Sequence, residues 1–220
     1  MTLPTTYDVR GGIRNWRGLG NFQYGDCVIA AFEHLRMVKG VANDSSWRKL
    51  LYQTGFRPPH TPYSVEIYAE YLATQGEKPG GNVGVDPASF LAWAESKNLI
   101  LGWGEISQPK NRDSLHQSMV DYTGVLTCVE LTTNSYDNWD NGKAWDVGPG
   151  PNDQPNPNLA HATALVRYGI EQDAVVTWAA VKSQTAAFTE TCTYQAFVFL
   201  DAQDTTRPNF AQLLANIKNL

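Results

Sequence analysis

The residues Asn21-Phe22-Gln23-Tyr24-Gly25-Asp26-Cys27 lead into Val28, Ala31, Leu35 and Val38. Those apolar positions recur at helical spacing, and Gly40 ends the run. Gly25 permits a tight turn, Asp26 can cap, and Cys27 falls in the first helical turn. A thiol there meets the positive end of the helix dipole, so its pKa is expected to fall and to give a nucleophile at neutral pH. The alternative is a small buried residue at a helix start.

A nucleophilic thiol needs a base, and the chain has four histidines. His34 lies two turns along the same helix, too far to reach Cys27. His60 sits among prolines and His116 in a helical stretch. His161 opens the apolar strand pattern Ala162-Thr-Ala-Leu-Val-Arg-Tyr168, which runs into Gly169. An imidazole at a strand mouth can face a helix N-terminus and pair with a thiolate. Alternatively it is a hydrogen-bonded, half-buried histidine at a sheet edge. His161 follows Cys27 by 134 residues.

Residues 21–31 and 161–178 together resemble the papain-like cysteine peptidase superfamily, in the manner of small peptidase-like proteins of actinobacteria and their phages. The Asp-Cys dipeptide is also similar to that of bacteriocin-processing peptidases. Papain-type enzymes carry their Cys on a helix near the mature N-terminus and their His about 130–150 residues later. The resemblance implies that Cys27 is the nucleophile and His161 the general base, later the acid for the leaving amine. It also implies an oxyanion-stabilising carboxamide just before the Cys. Asn21 has the six-residue offset, Gln23 keeps the residue type, and either can serve beside the Cys27 N–H. One such donor is worth about 3 kcal/mol in the transition state. Alternatively both amides only organise the loop.

The family's third residue, an Asn or Asp that orients the imidazole, has no counterpart here. Counting through the hairpin from His161 reaches Thr177-Trp178, where the Thr177 hydroxyl can accept from the ring. Thr177 can equally be a plain strand residue. Asp173 falls too far along the hairpin. The implied activity is that of a thiol hydrolase cleaving an amide bond, in a peptide or a cell-wall peptide, through a Cys-acyl intermediate. The missing carboxamide leaves open a catalytically inactive papain-like scaffold, acting as a phage structural or host-interaction protein. A transferase such as a transglutaminase shares the same logic.

The elements that must position these residues are helices first and strands second. Helices are expected over residues 45–55 (with Trp47, Leu50 and Leu51), from Ser64 to Gly76, from the Asp86-Pro87 cap onward, and over Asp113–Tyr122. The segment Arg57–Pro62 reads as a loop. Strands are expected at Val125–Leu131, Ala162–Tyr168, Ala174–Trp178 and Ala196–Leu200, with an amphipathic helix over Pro208–Leu220. Residues 132–158, rich in Asn, Asp, Gly and Pro, form a long connection without structure of its own, pinned or walled by Trp139 and Trp145. This order implies an α+β fold, and the resemblance a papain-like one, with a helical N-terminal half (about 26–122) packed against an antiparallel β-sheet C-terminal half (about 125–200), in one domain over residues 1–220.

Composition bounds the alternatives. The 220 residues carry 17 Lys+Arg against 22 Asp+Glu, a net charge of −5, with 42% apolar residues. That acidic balance offers no basic face for nucleic acid. No apolar stretch approaches the ~20 residues of a membrane span, and the start lacks a secretory pattern. Three cysteines, Cys27, Cys128 and Cys192, read as free thiols of a cytoplasmic or virion-associated protein, the last two in the core. Asp137–Gly148 fails as a calcium loop, because Gly148 stands where Glu is needed. Without zinc-type spacing or a phosphate-binding loop, no cofactor or metal is expected.

Overall fold

The computed structural model describes residues 3–21, 23–43, 64–79 and 83–220. The expected helix over 45–55, the 57–62 loop and His60 lie outside them. Helix α1 (Cys27–Asn43) is the centre of the molecule. Val28–Leu35 and Met37–Val41 are all buried, so the helix is enclosed on nearly every side and not along one stripe. Its polar residues are accommodated by partners. Lys39 Nζ donates to the Tyr122 carbonyl at 2.6 Å and to Asp204 at 2.9 Å. His34 Nε2 meets the Trp16 carbonyl at 2.7 Å, which makes it a core histidine.

Helix α2 (Ser64–Thr74) and helix α3 (Pro87–Ser96) complete the packing around α1. Asp86 caps α3 by accepting from the Ser89 N–H, with Pro87 in the first turn, as its sequence indicates. Ser64 does not cap α2; its hydroxyl donates to the Leu19 carbonyl and ties the helix to the loop before Cys27. Phe32 is wedged between Phe90 and Phe199 at 5.2 and 4.8 Å. Each such buried aromatic contributes ~2–3 kcal/mol by removal from water.

The sheet comprises β1 (Tyr7–Asp8), β2 (Gly102–Glu105), β3 (Val125–Glu130), β4 (Ala160–Tyr168), β5 (Gln172–Thr177), β6 (Ala180–Thr185) and β7 (Thr193–Leu200). The order is β2-β7-β3-β4-β5-β6, with β1 also paired to β4, and every pairing is antiparallel. Helix α4 (Arg112–Tyr122) precedes β3, and α6 (Ala186–Cys192) links β6 to β7. The α+β class is therefore as expected, a helical N-terminal half on an antiparallel sheet built mainly from the C-terminal half.

Three expectations need correction. The N-terminal half contributes strands β1 and β2 to the sheet; both are too short for alternation to reveal. The 132–158 connection has its own structure: helix α5 (Asn134–Asp140) and single 3-10 turns at Pro151–Asp153 and Pro157–Leu159. Trp145, fully buried, pins it by exchanging backbone hydrogen bonds with β6, its N–H to the Ser183 carbonyl and its carbonyl to the Thr185 N–H. The C-terminal helix is shorter than its pattern, with α7 (Phe210–Asn216) tightening into a 3-10 turn at Ile217–Asn219. There the Ile217 carbonyl sits where any side chain on Gly104 would stand.

Candidate active site

Cys27 is the first residue of α1, and α1 lies across β4. The N–H groups of Ala162 on β4, of Val28 and of Cys27 lie near enough to the thiol to favour its ionised form. Helix start and strand are thus joined at the residue after His161. Carrying the Ala164–Val176 register of β4 and β5 onward puts Thr163 opposite Thr177 and His161 diagonal to it on the same face. His161 Nε2 meets Thr177 Oγ1 at 2.6 Å. Nδ1 is then the ring nitrogen left for another partner, and it is a base when Nε2–H donates to the threonine.

The far side of the imidazole is covered by Trp178, stacked at 4.7 Å between ring centroids and 29°. Trp178 and Ala179 form the two-residue turn between β5 and β6, with φ of 43° and 63°. Hairpin turns of this kind favour Asn-Gly, because both central residues are left-handed. A tryptophan there is strained, and the strain is held by packing against the imidazole and the 132–158 connection. Trp139 and Trp145 meet Trp178 edge-on at 4.9 and 6.0 Å, and Tyr136, 46% exposed, stacks on it at 5.5 Å. Trp178 and this aromatic wall carry no motif of their own; the one cue in the sequence is that Trp178 follows Thr177.

The electrostatics differ from the expected lowered thiol pKa. Burial pushes the Cys27 thiol up, and the neighbouring Asp26 adds to the rise; the N–H groups of Ala162, Val28 and Cys27 offset only part of it. Burial also brings His161 down to about 4. At neutral pH Cys27 is therefore a thiol and His161 a neutral imidazole.

Asn21 and Gln23 lie in tight turns before the helix, their N–H groups bonded to the Gly18 and Gly20 carbonyls. Gln23 is exposed and Asn21 half-buried. Neither carboxamide makes a hydrogen bond with the described residues. Asp26 does not cap α1. Its carboxyl is fully buried with neither oxygen hydrogen-bonded, and burial raises it to about 7. Tyr194 on β7 lies within electrostatic reach of the Cys27 and Cys128 thiols and is pushed up to about 12, mainly by burial.

Asp173 is engaged elsewhere. It takes Arg112 at 2.9 Å, His116 Nε2 at 3.0 Å and the Thr189 hydroxyl at 2.7 Å, at the end of β5 away from His161. Cys128 and Cys192 are buried, free thiols raised by burial, Cys192 to about 12. Among the described residues no group of His, Cys, Asp or Glu could hold a metal ion, and no helix is long and apolar enough to cross a membrane.

No family model matches the chain, and no curated protein matches it. Among solved structures, it is similar to a cysteine protease of Carica candamarcensis in complex with E-64, at 16% identity over 90% of this chain and 99% of that chain, with a TM-score of 0.47. It is also similar to a structure from a study of antibody cross-reactivity between the mite allergens Blo t 1 and Der p 1, at 13% identity over 91% of this chain and 72% of that chain, with a TM-score of 0.42. Likeness at this level leaves the chemistry to be read from the residues.

Proposed function

We propose that the chain is a papain-like thiol hydrolase that cleaves an amide bond of a peptide, or of a cell-wall peptide, through an acyl-Cys27 intermediate. The observation that carries this reading is the junction of α1 with β4. It brings the start of α1, with the Cys27 thiol, against Ala162 of β4, one residue from an imidazole whose Nε2 is occupied by Thr177.

As Sγ attacks the carbonyl carbon, its proton passes to His161 Nδ1. The Cys27 N–H and a carboxamide, from Asn21 or Gln23, receive the oxyanion. The imidazolium returns its proton to the amine nitrogen as the C–N bond breaks. A water molecule, deprotonated by the same nitrogen, then attacks the thioester carbonyl and releases the acid and the free thiol. Because the resting pair is neutral, His161 acts as a general base during attack and not as a partner in a preformed ion pair. The proposal includes the finer likeness to small actinobacterial and phage proteins and a cytoplasmic or virion-associated setting.

The same neutrality favours a second reading, a catalytically inactive scaffold that serves structure or host interaction. Labelling with a library of electrophilic peptides separates the two. Labelling of the wild type that is lost in Cys27→Ala, together with hydrolysis of the matching amide, supports the hydrolase. A folded wild type that no peptide electrophile labels supports the scaffold.

A further inference from the structure

The Asp26 carboxyl is fully buried, and neither oxygen has a hydrogen-bond partner. Asp26 immediately precedes Cys27, and its Oδ2 lies so close to Gly20 that any side chain there would collide with it. Gly20 has φ of 97°, and its carbonyl accepts the Gln23 and Tyr24 N–H groups. The carboxyl is therefore sealed between the start of α1 and the turn that carries the oxyanion candidates. A buried carboxyl without a partner is costly to keep, and such groups concentrate at functional sites.

Few groups face it. On its own helix there is the Cys27 thiol. From α2 there is the Tyr68 hydroxyl, which donates to the Val83 carbonyl at 2.9 Å and is itself raised by burial, with Asp26 and Cys27 adding to the rise. Ser64 is committed to the Leu19 carbonyl, and Tyr24 packs on Tyr68 at 6.0 Å. Among the described residues no Lys, Arg or His pairs with the carboxyl. Loss of its proton therefore puts an uncompensated negative charge beside the sulfur.

We propose that Asp26 is a positioning residue of the Cys27 site, a sealed carboxyl whose proton controls how readily the neighbouring thiol ionises. In its protonated form it fills the space under the Gly20 turn without charge, and the thiol can release its proton to His161. Once ionised it opposes the thiolate, so gain of nucleophile with rising pH is checked from within the fold. The proposal rests on Cys27 being the reactive group, and it makes Asp26 a brake on the alkaline side of the site's working range.

The test is alkylation of Cys27 by iodoacetamide in the full chain, followed by mass spectrometry of the Cys27 peptide between about pH 5 and pH 10. In the wild type, the logarithm of the rate is expected to rise, flatten near about pH 7, and rise again, because ionisation of Asp26 moves the thiol upward. In Asp26→Asn, which keeps the shape without the charge, the rise is unbroken, and the rate at about pH 8 is at least threefold higher. Superimposable profiles overturn the proposal. Should the Asn variant not fold, the titration of carbon-labelled aspartate in the wild type decides. A carboxyl titrating near about 7 supports the proposal, and aspartates that all titrate near their ordinary value overturn it. The electrophile reads the sulfur and not hydrolysis, so a chain that cleaves no peptide but shows the broken profile fails as a hydrolase and keeps its Asp26 control.

Discussion

Thr177 Oγ1 lies 2.6 Å from His161 Nε2, diagonal neighbours on one face of the β4–β5 hairpin. A carboxamide oxygen at this position only accepts and so fixes the proton on Nε2; a hydroxyl can donate or accept and fixes it less firmly. Thr177→Val is expected to lower the rate of Cys27 acylation by about 10-fold to 100-fold with the fold intact, the worth of one buried hydrogen bond to the ring. Thr177→Asn is expected to retain or exceed the wild-type rate. Single-turnover labelling with an electrophilic peptide measures both, and an unchanged rate in Thr177→Val shows that Trp178 alone holds the ring.

The neutral resting pair has a kinetic consequence. Cys27, raised by burial, is expected to react with iodoacetamide more slowly than a free thiol at about pH 6. Fast alkylation at that pH would instead reveal a thiolate–imidazolium pair.

Stability should depend on pH in opposite senses at the two buried groups. Asp26, raised to about 7, keeps its proton in the folded state while the unfolded carboxyl has lost it, so stability falls as pH rises from about 4 to about 7. Removing that charge in Asp26→Asn should stabilise the fold at and above neutrality by roughly 2–4 kcal/mol. His161, lowered to about 4, stays neutral when folded while the unfolded ring is protonated, so its contribution is lost as pH falls from about 6.5 toward 4. Denaturant melts of the wild type and of the Asn variant at several pH values give both signs.

Asp173 presents the opposite case. Burial alone would raise its carboxyl, but the bonds from His116, Arg112 and Thr189 together hold it below the ordinary aspartate value. Its stabilisation is present above about pH 4 and is lost as pH falls through its lowered folded pKa. Arg112 also binds the Gly169 and Ile170 carbonyls, which clamps the β4–β5 turn. Asp173→Ala leaves Arg112 and His116 without their buried acceptor and is expected to cost about 3–5 kcal/mol in a urea titration.

At the β5–β6 turn the two left-handed residues call for different outcomes. Ala179→Gly should stabilise by about 0.5–1 kcal/mol, because glycine adopts its φ of 63° without strain. Trp178→Gly relieves the same strain but removes the cover from His161, and a net loss of about 2–4 kcal/mol is expected. Thermal unfolding of the two variants distinguishes backbone relief from lost packing.

Helices α1 to α4 and strands β3, β4, β5 and β7 are legible in the sequence because they are long enough to show a period, whereas α5, α6 and β6 are not. Asp86-Pro87 announces α3, and Ala162–Tyr168 and Ala174–Trp178 announce the hairpin to within two residues at every end. That hairpin is what makes a count from His161 to Thr177 meaningful. The short strands β1 and β2 are not legible, since two and four residues cannot display alternation. The thiol's environment is not legible for a different reason. A helix start is visible in the sequence, but the depth at which Cys27 and Asp26 sit is decided by α2, β4 and the Gly20 turn, all distant along the chain. The fit of Trp178 against the imidazole is likewise set by a strained turn that contains no glycine to signal it.

The bond pair from Trp145 to β6 reaches past the neighbourhood of Cys27. An antiparallel sheet open at its last strand invites a second molecule to add to it. Here the polypeptide caps that border itself with Trp145, and at the opposite border the turn at Ile217–Asn219 lies against Gly104. The sheet is thereby guarded at both margins by segments far apart in the chain. Shortening the 132–158 excursion, or trimming the last residues, would leave a template for polymerisation, and the damage would show first as loss of solubility.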